Sequence, residues 1–128
     1  MQVYVAGGDP RLRAAADALR TSGFEVEVVE TSEEAARRVG PAELSAVVVG
    51  EDPDVLQPFQ QMAPRHRRRL VVVQVGGGVA TADGAAAFVR GVNLLVSASD
   101  VGRLGDLVAL AVNRHRDLVA LVEPELAR

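Results

Sequence analysis

Covalent, acid–base and metal chemistry each need particular side chains, and this sequence withholds most of them. It contains no Cys, and all 14 basic residues are Arg with no Lys among them. That excludes a thiolate nucleophile or ligand, a disulfide framework, a P-loop lysine and a Schiff-base lysine. The two histidines, His66 and His115, lie far apart in the chain and give little support to a histidine metal site or a triad. Two groupings remain. Gly76-Gly77-Gly78 could bring backbone amides close to a phosphate, but it lacks the lysine or the acidic ribose partner that phosphate and dinucleotide loops carry; it reads as a mobile connection whose glycines allow positive φ. Arg65-His66-Arg67-Arg68-Arg69 could dock an acidic partner, yet it is short, without interleaved aromatics, and reads as a solvated shoulder.

The whole composition points the same way. With 128 residues, 48% hydrophobic and 24% charged, the chain is expected to form one globular domain, 1-128, around a single core. Its formal charge of -3 argues against a dedicated nucleic-acid or anionic-membrane surface, and its 3% aromatics supply no stacking platform. Met1-Gln2-Val3-Tyr4-Val5 opens as a strand rather than a signal peptide, and no stretch approaches a membrane span, so a cytoplasmic protein is expected.

Short β-branched runs alternate with Ala- and Leu-rich segments of helical period, the pattern of repeated βα units and a parallel sheet. Five strands are predicted: 2–6, 24–29, 44–49, 70–75 and 92–96. The third and fourth are nearly continuous Val, as in strands covered on both faces, whereas FEVEVV alternates and belongs at an edge. Asp9-Pro10 starts a first helix with Leu12, Ala15, Ala16 and Leu19 inward and Gly23 as its stop. Further helices are expected from Thr31 or Ser32 to Gly40-Pro41, from Asp54 to Met62 across Pro58, from Thr81 to Arg90 closed by Gly91, and from an Asp100 cap to Val122 before Pro124. No internal repeats or linkers interrupt this order.

VYVAGGDPRLRAAADALRTSGFEVEVVETSEEAARRV, LSAVVVGEDP, LVVVQV and AFVRGVNLLVSASDVGRL resemble, in order and spacing, the response-regulator receiver family over essentially the whole chain. Gly23-Phe24, Ser32-Glu33-Glu34-Ala35 and Arg90-Gly91-Val92 match its structural punctuation. The resemblance implies a flavodoxin-like, doubly wound (βα)5 fold with a parallel five-stranded sheet of order 2-1-3-4-5 and a site at the carboxyl ends of the strands. It further implies bacterial-type two-component signalling, in which carboxylates hold a divalent cation, an aspartate accepts a phosphoryl group, and Thr/Ser and Lys contact its oxygens.

At each of those positions this chain departs. Gly7 and Gly8 stand where the acidic pair is expected, Gly50 at the phosphoacceptor, Gln74 at the hydroxyl and Ala98 at the lysine. Mg²⁺ needs oxygen ligands, and glycine offers no side chain to supply one. Asp9, Glu51 and Asp52 are the nearest acids, with Asp9 expected to cap the first helix and the other two to lie in a solvated loop. The expected function is therefore a degenerate, non-phosphorylatable pseudo-receiver, not an enzyme, acting through protein contacts without a cofactor or metal. The alternative is a small-ligand, nucleotide-like sensor in which Gly7-Gly8, Gly50 and Gly76–Gly78 line the pocket.

The last helix suggests how contacts could be made. Leu104, Val108, Ala111, His115, Leu118 and Val122 form one seam, and Leu118-Val119-Ala120-Leu121-Val122 is apolar around its circumference, more than one sheet face can cover. A homodimer through this helix, the helix before it and the fifth strand is expected.

Overall fold

The computed structural model describes residues 1–39 and 43–123. β-Branched valine favours pleated backbone, and five valine-bearing segments form a wholly parallel sheet: β1 (Gln2–Ala6), β2 (Glu25–Val29), β3 (Ser45–Val49), β4 (Leu70–Gly76) and β5 (Leu94–Ser97), in the order β2-β1-β3-β4-β5. The fold is the flavodoxin-like (βα)5 arrangement. Every residue of β3 and β4 is buried, while β2 at the rim is mostly half-buried or exposed, as its alternation requires.

Alternate side chains divide the core into two layers. Val3, Val5, Val48, Val73 and Val96 face α1 (Pro10–Thr21) and α6 (Leu104–Ala120). Tyr4, Val47, Val49, Val72 and Leu95 face α2 (Ser32–Arg38), α3 (Gln57–Gln60) and α5 (Gly84–Arg90). Leu12, Ala15, Ala16 and Leu19 are the buried stripe of α1, capped by Asp9 and followed by Gly23 at φ +91°.

Several boundaries differ from the sequence expectation, some through local residues and some through contacts from distant parts of the chain. The segment expected as one helix from Asp54 to Met62 is a 3₁₀ turn, Pro53–Leu56, followed by the single turn α3, because Pro58 fits only the opening of a helix. A separate turn, α4 (Pro64–Arg67), follows it. The helix expected from Thr81 begins at Gly84, where the Asp83 side chain accepts from the Ala86 amide. The last helix is not capped by Asp100: a 3₁₀ segment, Ala98–Arg103, precedes α6, and Asp100 is engaged by Thr81 instead. In the fifth strand Asn93 stands outside the ladder because its side-chain oxygen takes the Val72 N–H at 2.8 Å. Gly40-Pro41 and Pro124 lie outside the described residues.

No helix of the described residues is long and apolar enough to cross a membrane. Leu19 of α1 is fully buried in the layer shared with α6, and Val89 on α5 is 84% exposed. Leu19→Ala should therefore lower unfolding free energy by about 3 kcal/mol in denaturant titrations, whereas Val89→Ala should change it by less than about 0.5 kcal/mol.

Candidate functional site

Parallel strands bring their carboxyl ends to one edge, and the loops after β1, β3, β4 and β5 gather there. After β1, the Gly7 amide donates to the Val29 carbonyl at 2.9 Å, and the residue takes φ +125°, with the Leu12 side chain 2.8 Å from where a Cβ would stand. Only glycine meets both demands. Asp9 turns its carboxylate onto the Arg11 amide at 2.7 Å, and Asp52 likewise accepts from the Asp54 amide at 3.0 Å. Two of the three acids nearest this edge thus serve as caps.

Glu51 does not sit in a solvated loop alone. Its Oε1 accepts from the Gly78 amide at 2.8 Å and its Oε2 from the Gly77 amide at 3.2 Å, while Arg11 Nη1 approaches Oε2 at 3.5 Å. The loop after β3 is therefore tied to the loop after β4. Gly76–Gly78 are not there for positive φ, since among the described glycines only Gly7, Gly23 and Gly91 adopt it.

Gln74 is buried at the end of β4. Its Nε2 donates to the Gly50 carbonyl at 3.0 Å and the Glu51 carbonyl at 3.3 Å, and its Oε1 accepts from Arg90 at 3.0 Å. Ala98 opens the 3₁₀ segment after β5, beside a hydroxyl cluster in which Thr81 Oγ1 donates to Asp100 at 2.5 Å and accepts from the Ser97 amide at 2.8 Å.

Beside this edge lies a cleft of about 490 Å³ between the loops after β1 and β3 and the start of α2. Gly7, Gly8, Asp9 and Gly50 line it; Gln74, Ala98 and Gly76–Gly78 do not. Asp9, Glu30, Glu33, Glu51, Asp52 and Asp54 make its lining acidic, with Arg11 the single cation among the lining residues. No group of three His, Asp or Glu among the described residues is arranged to hold a metal ion.

At the opposite edge Arg65, His66 and Arg68 of the arginine run are exposed, as a solvated shoulder requires, while Arg67 and Arg69 are half-buried and tied into the fold. Arg67 donates to the Leu70 carbonyl at 2.6 Å, the Gly91 carbonyl at 3.1 Å and Asn93 Oδ1 at 2.8 Å, and burial holds its pKa below the usual guanidinium value. Arg68 and Arg69 lie 3.3 Å and 3.5 Å from the Glu123 carboxylate, and the His115 ring meets the Arg68 carbonyl. Along α6, Leu104 and Val108 are fully buried and hold the helix to the sheet, so they are not surface for a partner; Ala111 and His115 are half-buried, and Leu118 and Val122 are exposed.

The pairings of Glu51 with Gly77 and Gly78, of Gln74 with Arg90 and of Arg67 with Asn93 escape sequence reasoning, because each joins residues 16 to 27 positions apart. The one signal was positional: GED and GGG end neighbouring strands.

The fold defined by this sheet and its loops is that of response-regulator receiver domains. The N-terminal domain of a response regulator/sensory box/GGDEF 3-domain protein from Carboxydothermus hydrogenoformans superposes with TM-score 0.64 at 17% identity, covering 93% of this chain and 99% of that one. A LuxR-family DNA-binding response regulator from Staphylococcus aureus gives 0.62 at 16% identity, over 88% and 98%. A CheY-like receiver domain protein from Methanospirillum hungatei JF-1 gives 0.61 at 15%, over 91% and 96%. No protein-family model matches the chain, and no curated protein matches it.

With Asp9, Glu51 and Asp52 each engaged by backbone amides, millimolar Mg²⁺ should leave the melting temperature unchanged. A saturable rise of several degrees would mean that these carboxylates rearrange around a cation.

Proposed function

We propose that this chain is a pseudo-receiver, a non-enzymatic signalling or scaffolding module that works through protein contacts in the cytoplasm and is not phosphorylated. The observation that carries this is the end of β3: Gly50 stands at the position from which a receiver's aspartate would attack, and the neighbouring carboxylate, Glu51, is spent on the Gly77 and Gly78 amides. Ala98 presents no cation after β5, and Gln74 replaces the hydroxyl after β4 with an amide already satisfied on both ends. A transferred phosphoryl group would meet no nucleophile and little compensating charge. Incubation with acetyl phosphate and Mg²⁺ should leave the intact mass unaltered; a phosphoryl adduct on any aspartate or glutamate would refute the proposal.

The contact surface in this proposal is the face made by α5, β5 and α6. Phe88 is 86% exposed, Leu118 64% and Leu121 83%, and Leu94, Leu107, Leu110, Ala111 and Leu118 border a shallow groove of about 260 Å³. Apolar surface of this kind favours association, and a second copy of the chain is the proposed occupant. Sedimentation should give a dimer, and Leu118→Glu should shift it to monomer without unfolding it. A wild-type monomer at high concentration would remove the dimer and leave the receiver fold untouched. Nucleic acid is disfavoured as a partner, since Arg67, Arg68 and Arg69 are engaged within the fold.

A small-ligand sensor is the alternative, and the 490 Å³ cleft is the observation in its favour. The carboxylates that line it would repel the phosphates of a nucleotide. Nucleotide-dependent thermal stabilisation would favour the sensor over the adaptor.

A further inference from the structure

Three glycines in a row after β4 have a physical cause that neither turn geometry nor positive φ supplies. A Cβ on Gly76 would lie 2.8 Å from the Glu51 carboxyl carbon and side-chain methylene, one on Gly78 would lie 2.6 Å from Glu51 Oε1, and one on Gly77 would lie 3.3 Å from Arg11 Nη2. The loop is shaped to let a carboxylate come close to main chain. Two successive N–H groups and a guanidinium then converge on one anion, the donor set that binds oxyanions in backbone nests. These amides are not the start of a helix: α5 begins at Gly84 under its own Asp83 cap.

We propose that Gly77, Gly78 and Arg11 form an oxyanion-binding cradle occupied by the protein's own Glu51 carboxylate, a self-liganded site for a small oxyanion of the phosphate class. Glu51 and Arg11 are about half exposed at their side chains, so the carboxylate has room to leave. Gly77 and Gly78 do not line the acidic cleft, whereas Arg11 and Glu51 do, so the cradle stands at the margin of the cleft with its two donor amides outside the lining. Tethered beside the donors, Glu51 competes at the high effective concentration of an intramolecular group and excludes a free anion. Removing its carboxylate leaves two amides and a guanidinium unmatched, and an anion from solution restores what they lost. This concerns the cradle alone and stands whether or not the chain is a signalling adaptor.

The test is titration with inorganic phosphate at constant ionic strength, read from the Gly77 and Gly78 amide resonances of the 15N-labelled full chain. Wild type should show no saturable shift. Glu51→Ala should show one at both amides, with a Kd on the order of millimolar, and adding Arg11→Ala should weaken it several-fold. No saturable shift in a folded Glu51→Ala protein, or equal responses from the variant and wild type, would overturn the proposal. A readout that needs no variant is amide hydrogen exchange in wild type: Gly78 should exchange at least about tenfold more slowly than exposed Gly8, and equal rates would likewise overturn it.

Discussion

Burial of β3 and β4 on both faces is the constraint from which the rest of this molecule follows. Ala46, Val47, Val48 and Val49 in one strand, and Val71, Val72 and Val73 in the next, are all shielded from water. Strands this apolar are stable only with helices above and below, and joining parallel strands through helices places every carboxyl-terminal loop at one edge. The site is thus positioned by aliphatic packing before any polar residue is chosen.

At that edge, charge and hydrogen-bonding capacity are resolved within the chain. Asp9 and Asp52 close turns, Glu51 joins two loops, and Gln74 spans Gly50 and Arg90. A carboxylate that accepts two amides and faces a guanidinium is a charge-assisted clasp, stronger than neutral pairs of the same geometry. The opposite edge follows the same rule, with Arg67 held by two carbonyls and Asn93. These polar groups are thereby employed in holding the scaffold.

The face formed by α5 and α6 contrasts with both edges. α5 commits only Ala87 fully to the core and leaves Phe88 and Val89 outside, while α6 is anchored by Leu104, Val108, Val112 and Val119. The seam suggested by heptad-like spacing is therefore split: its first half belongs to the sheet and its second half to the surface. The buried stripe continues through Val112 to Val119, so it is the heptad-spaced seam that rotates away from the sheet along a straight helix of 3.6 residues per turn.

How much could be seen without a structure follows from the range of each interaction. The strands, the α1 stripe of Leu12, Ala15, Ala16 and Leu19, the Asp9 and Gly91 helix ends and the edge position of β2 were legible, because hydrophobic period and capping act over a few residues. The break at Pro58 was half legible, and the replacement of Asp100 by a 3₁₀ lead-in was not, because Thr81 claims its carboxylate from across the fold. By itself the sequence determined the alternating elements, the sheet's apolar interior and the absence of lysine and cysteine chemistry. Tertiary structure alone decided that Glu51 meets Gly77 and Gly78, that Gln74 meets Arg90, and which face of α6 is covered. Those outcomes depend on groups brought together by chain closure, and no local pattern encodes the partner of a polar side chain.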